Sequence, residues 1–332
     1  MKKSCVMAKQ NYTDSSEFIL MDFSVQPEHQ HFLGLIFLSM YLLTVLGNLL
    51  IVLLISSDVR LLQTPMYFFL RHLSLADVGF ASVTVPKMLQ NLLFQVRTIS
   101  YSGCLMQMYF YMTFANTDNY LLAVMAYDRY MAICHPLLYA TRMSHKRCLL
   151  LVAICWLLAS LNSVLYTLIM SPLSFCSSKE IPQFFCEFFP LLRLACSDTS
   201  VIETISLIES YADVLGPFVL IVVSYVCIFC TILRVPSTKG KQKAFSTCAS
   251  HLGLVALFYG TLCWVYLQPN SRNPEQNMIS SLMYTMVTPM LNPFIYTLRN
   301  TEIKAALKRF LGRIKATDLF QFFLCSSKSA FL

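Results

Sequence analysis

The positions where charge is missing constrain this chain more than any other feature. Asp, Glu, Lys and Arg are absent from 29–57, 98–117, 148–178, 214–233, 244–271 and 276–298. Each run can hold a helix of about 20 residues, enough to cross a hydrocarbon core about 30 Å thick. A seventh apolar stretch, at 65–89, is interrupted by Arg71 and Asp77, and the run that begins at 98 continues past Asp118 toward Tyr127. Composition agrees: 56% of the 332 residues are hydrophobic and 13% charged, against about 45–50% and about 25% in soluble domains. A soluble globule, a disordered chain and a small disulfide scaffold are all excluded. The reading is an all-α membrane protein, a seven-transmembrane helix bundle with a short amphipathic eighth helix.

Seven spans put the termini on opposite sides, and the basic residues choose the sides. With the N-terminus outside, the inner segments hold 16 of the 25 Lys and Arg, the outer segments hold 8, and Arg71 lies within a span. The same orientation puts the sequon Asn11-Tyr12-Thr13 outside, where it can be glycosylated. The net charge of +8 is therefore a topology signal, and no basic soluble domain offers a face to nucleic acid. Expected segments are an extracellular N-terminus over 1–31, a transmembrane domain over 32–300, and an amphipathic helix with a cytoplasmic tail over 301–332. The first 31 residues hold no apolar signal-peptide core, so the first span is expected to act as the signal anchor. Plasma membrane, multi-pass, is the expected location.

From Cys104 to Arg129 is about 37 Å of helix, one membrane crossing. Its inner end reads MAYDRYMAICHPLLY over 125–139. An arginine that merely snorkels to the interface is the plain alternative for Arg129, but the surrounding motif is specific. It resembles the signature of the odorant receptors, a branch of the rhodopsin-like G-protein-coupled receptors. LQTPMYFFL at 62–70, LSLADVGF at 73–80, VPKML at 85–89, KAFSTCASHL at 243–252, FYGT at 258–261 and PMLNPFIYTLRN at 289–300 resemble the same family in the same order. The sixth span and the loop before it are similar to the tetrapod-type branch.

The resemblance implies a receptor, not an enzyme, that binds a small volatile odorant within the helices and activates a heterotrimeric stimulatory G protein to raise cAMP. Asp128, Arg129 and Tyr130 would couple to that G protein. A non-olfactory rhodopsin-like chemoreceptor is the alternative. A small-solute transporter should show paired halves or broken helices, and neither half of this chain mirrors the other. The six His show no HExxH, and no phosphate-cradling glycine loop occurs.

Helix spacing puts Asp77 about 20 Å into the second span and Asp118 about 16 Å from the inner end of the third. Two carboxylates near the midplane must be protonated, paired or bound to a cation. Asn48 and Asn292 reach similar depth. The family likeness implies a sodium or proton site at Asn48, Asp77, Asp118 and Asn292, with a hydrogen-bonded network as the alternative; no other cofactor is expected.

Cys104 and three cysteines of the outer segment 171–203, Cys176, Cys186 and Cys196, allow three pairings. The family pattern implies Cys104 with Cys186 and Cys176 with Cys196. Odorant receptors commonly carry His before the FFC triplet, whereas this chain has Gln183, so no structural metal is expected.

Met108, Met112, Ala115, Asn116 and Asn119 share one face of the third span, and Glu209, Ser210 and Asp213 one face of the fifth. By resemblance these turn toward a ligand pocket, with Tyr259, Leu262, Cys263 and Tyr266 from the sixth. Ordinary helix packing is the competing reading for the apolar ones. If both face the cavity, Glu209 and Asp213, one turn apart, would favour alcohols, phenols or weak amines over carboxylic acids; the alternative is that one of them faces lipid headgroups or caps the outer loop. Opsins need a Lys in the seventh span, and 276–298 has none. Amine receptors place an Asp about two turns after the outer cysteine of the third span, where this chain has Tyr111.

Overall fold

The computed structural model describes residues 17–21, 26–175, 179–266 and 274–312. Seven long helical segments form the bundle: α1 (Pro27–Ser57), α2 (Pro65–Phe94), α3 (Tyr101–Cys134), α4 (His145–Met170), α5 (Ser200–Arg234), α6 (Thr238–Tyr266) and α7, which runs through Pro274–Leu282, Met283–Val287 and Thr288–Arg299. A further helix, α8, follows at 301–312. Proline occupies the first turn of α1 and α2, where its missing N–H would have had no helical acceptor. α1 begins within the segment read from sequence as the N-terminal tail.

By length and composition α1, α2, α4 and α5 can each cross a membrane. The outward faces of α1, α4 and α5 carry exposed Leu35, Leu46, Leu161, Leu168, Ile208 and Val219. Such an apolar exterior suits lipid and would be costly in water. α3 is the polar centre of the bundle, packed against α2, α4, α5 and α6. It buries Asn119, Asp118, Asp128 and Arg129, which explains why it is less apolar than α2, α4 and α5.

Two prolines shape the bundle by removing donors. Pro293 in α7 has no N–H for the carbonyl of Pro289, and Asn48 of α1 donates Nδ2 to that oxygen at 3.0 Å. Pro217 in α5 likewise leaves the Asp213 carbonyl free, and Asn119 of α3 donates to it at 2.9 Å. Gly47 allows the first of these approaches, since a Cβ there would lie 3.1 Å from Pro293 Cγ. In α7 the turn Met283–Val287 is a π-helix, a widened turn just before the donor-less Pro289.

The end of the bundle from which α1 starts carries a small sheet that charge and helix periodicity do not foretell. β1 (Glu17–Leu20) lies between β2 (Thr98–Ser100), antiparallel, and β3 (Glu180–Ile181), parallel. Phe18 and Leu20 face inward and are buried with Ile181, Cys186 and Phe188. Phe18 meets Phe175 edge-on at 5.1 Å. The chain before α1 is thereby stitched onto the loop between α4 and α5.

Candidate functional site

Below this cap lies a cavity of about 520 Å3 between α3, α4, α5, α6 and α7, within the range of small-molecule sites. Met112, Ala115, Asn116 and Asn119 of α3 form one wall. Glu209, Ser210 and Asp213 form the facing one, and Tyr259, Leu262 and Cys263 of α6 a third. The loop contributes Glu187, Phe188 and Phe189.

The polar groups of these walls are cross-linked. Asn116 Nδ2 donates to Asn162 Oδ1 at 3.0 Å, and Asn162 and Tyr166 both donate to the Glu209 carboxylate. Tyr120 donates to Asp213 Oδ1. The Tyr259 hydroxyl donates to Asn119 Oδ1 at 2.6 Å, so α3, α5 and α6 meet at one hydrogen-bonded node beneath the cavity. In the loop, Glu187 is half-buried, and its loss of solvent pushes its carboxyl up to about 7 despite the opposing Arg193 charge.

A second, small void of about 10 Å3 lies deeper, lined among others by Asp77, Asp118 and Asn292. Asn292 Nδ2 donates to both Asp77 oxygens, at 3.0 and 2.8 Å. The side-chain oxygens Asp118 Oδ1 and Asn292 Oδ1 are buried without a hydrogen-bond partner. Asn48 does not line this void, because its amide is held by the Thr44 and Pro289 carbonyls.

At the C-terminal end of α3, Arg129 Nε lies 3.9 Å from Asp128 Oδ2, and Tyr139 donates to Asp128 Oδ1 at 2.8 Å. Tyr130 and His135 are hydrogen-bonded at 2.9 Å. Between this end and the cavity sits buried His251 of α6, 3.1 Å from the Leu122 carbonyl and 2.7 Å from the Tyr225 hydroxyl. A carbonyl can only accept, so Nε2 carries the proton and Nδ1 accepts from Tyr225.

The arrangement is that of a known receptor fold. The structure superposes on squid rhodopsin with a TM-score of 0.69 over 88% of both chains, at 16% identity, a likeness of fold alone. A family model described as "Olfactory receptor" matches residues 37–313. The chain belongs to the olfactory receptor family. It is 54% identical to Olfactory receptor 1F1 of Homo sapiens over 93% of this chain and 99% of that protein. It is 52% identical to Olfactory receptor 1f45 of Rattus norvegicus over 92% and 98%. The family makes it a G-protein-coupled receptor of the membrane and not an enzyme.

Of the pocket residues expected in this olfactory receptor, Met112, Asn116, Glu209, Ser210, Asp213, Tyr259, Leu262 and Cys263 line one cavity. Met108 does not: it is fully buried in the outer cluster with Cys104 and Cys186, one turn too close to the loop. The side chain of Tyr266 lies outside the described residues. Glu187, Asn162 and Tyr166 were missed, because helix periodicity places residues on a face but says nothing of loops or of a neighbouring helix's tilt.

The bond between Cys104 and Cys186 is present, with Cα atoms 5.5 Å apart. Cys196 is also disulfide-bonded, while its expected partner Cys176 lies outside the described residues, as do Asn11 and the tail beyond 312. Gln183 is buried and donates to Ser281 Oγ at 3.1 Å.

Proposed function

We propose that this olfactory receptor binds a small volatile molecule in the 520 Å3 cavity and activates a stimulatory G protein that raises cAMP. The observation that carries the reading is the node of Asn119, Tyr259 and Asp213, which belongs at once to the cavity wall and to three helices. A ligand that contacts Tyr259 competes with Asn119 for its hydroxyl and so biases the position of α6. Lower on the same helix, His251 ties α6 to α3 and α5, and a rotation of α6 must break those bonds. Movement there uncovers the inner end of α3, where Asp128 holds Arg129 in the resting state and Tyr130 lies alongside. Asp128, Arg129 and Tyr130 are thereby the coupling residues, facing the cytoplasm with the N-terminus and Asn11 outside.

The small void fits one sodium ion or one water-sized occupant. Asp77 and Asp118 supply anionic oxygen, and the unpartnered Asp118 Oδ1 and Asn292 Oδ1 are the acceptors a cation would use. A bound cation would offset the like charges of two buried carboxylates and favour the resting packing of α2, α3 and α7. Asn48 supports that packing through Pro289 and is not placed as a ligand.

The test is a cAMP-linked reporter in cells that express the full chain, screened with volatiles of several chemical classes, beside epitope labelling of intact cells. Agonist-dependent cAMP together with an N-terminal tag that is labelled without permeabilisation is expected. A receptor that reaches the surface and raises cAMP with no volatile, or a tag reachable only after permeabilisation, overturns the reading.

A further inference from the structure

Three carboxylates line the large cavity, Glu209 and Asp213 from α5 and Glu187 from the loop above, and every other described lining residue is neutral. Arg193, the loop cation whose charge acts on Glu187, is largely exposed and lies 3.5 Å from Glu203. The partners of the α5 pair are uncharged: Asn162 and Tyr166 donate to Glu209, and Tyr120 donates to Asp213 Oδ1. These donors are all neutral, so the pair has no positively charged partner within the cavity. Among the described residues, neither Asp213 Oδ2 nor the Glu187 carboxyl has a hydrogen-bond partner.

We infer that the cavity takes a small protonated amine, its ammonium seated between Glu209 and Asp213 and its hydrocarbon part against the aromatic wall of Phe188, Phe218, Phe258 and Tyr259. The inference rests on the cavity being the odorant site, as proposed above. An ammonium brings three donors and the missing positive charge, and water-poor surroundings strengthen that attraction. A neutral alcohol supplies no charge and a single donor. A carboxylate would meet two like charges. The position that amine receptors use on the third span is Tyr111 here, itself part of the lining, so the counter-ions come from α5 and not from α3. Glu187 stands on the outer side of the cavity. Its carboxyl, held near neutrality by burial, can ionise as a cation approaches.

The experiment uses the full chain in the cAMP reporter assay with four compounds on each of two skeletons, hexyl and cyclohexyl: the amine, the alcohol, the carboxylic acid and the acetate ester. Wild type is expected to respond to the amines at concentrations at least tenfold below the matching alcohols, with the acids inactive. Asp213→Asn and Glu209→Gln should each shrink the amine-to-alcohol ratio at least tenfold, a ratio measured within one cell population and therefore independent of expression level. Wild-type responses to alcohols, esters or acids that equal or exceed those to amines overturn the inference and leave the odorant site standing; that ranking needs no variant to fold. An amine-to-alcohol ratio unchanged in both variants also overturns it. Silence toward all eight compounds, while other volatiles act on the same cells, overturns the amine assignment alone. Silence toward every volatile overturns the site reading as well.

Discussion

Asn119 on α3 donates 2.9 Å to the main-chain carbonyl of Asp213 on α5, the acceptor that Pro217 leaves without its helical donor. One side chain thus repairs a defect in a neighbouring helix and receives the Tyr259 hydroxyl on its other atom.

Asn119→Leu is expected to leave the Asp213 carbonyl and the Tyr259 hydroxyl unpaired, at a cost of about 1–3 kcal/mol per buried group. Thermal unfolding of the detergent-purified receptor should fall clearly below wild type. In a Pro217→Ala background, which restores the N–H, the same substitution should cost measurably less. Equal losses in both backgrounds would separate Asn119 from the proline defect.

Tyr259→Phe removes a single hydrogen bond between α3 and α6, worth about 0.5–1.5 kcal/mol. Basal reporter activity is expected to rise roughly two- to tenfold if that bond holds the resting state. A basal signal at or below wild type, at matched surface expression, contradicts the role of the node.

Arg129→Ala should abolish agonist-driven cAMP with surface expression retained. Asp128→Asn, which weakens the hold on Arg129, should raise the basal signal instead. Flow cytometry of the tagged receptor alongside the reporter checks both, and full signalling by Arg129→Ala would remove it from the coupling surface.

The Cys104–Cys186 bond spans 82 residues of sequence, and a loop of that order is stabilised by about 4 kcal/mol. Cys104→Ser or Cys186→Ser should therefore trap most of the receptor inside the cell. Peptide mapping under non-reducing conditions is expected to find Cys196 bonded to Cys176. Recovery of Cys196 with a different partner would refute that pairing.

Glu187 gives the outer loop a pH dependence of definite sign. Its carboxyl is pushed from an ordinary value of 4.5 up to about 7, so the fold favours the protonated form. The stabilisation is complete below pH 4.5 and is lost as pH rises through about 7. Its size is on the order of 1–3 kcal/mol. The unfolding temperature of wild type should fall between pH 5.5 and 8, and Glu187→Gln should flatten that fall. Parallel pH profiles for the two proteins would assign the dependence elsewhere.

The sequence alone determined the number of spans, because a long charge-free run has no other economical fate, and it set Asp128, Arg129 and Tyr130 together in a specific motif at one end of the third span. It also placed Met112, Asn116, Glu209 and Asp213 on helix faces, since a period of 3.6 residues is a local property. Depth and partners are not local. Met108 shares the face of Met112 yet is sealed under the disulfide, and Glu187 enters the cavity from a loop that has no period to read. Only the packed bundle decided that Asn119 would meet the carbonyl freed by Pro217, and Asn48 the one freed by Pro293. An unpaired acceptor exists wherever a proline interrupts a helix, but which neighbour fills it depends on how the helices tilt and approach.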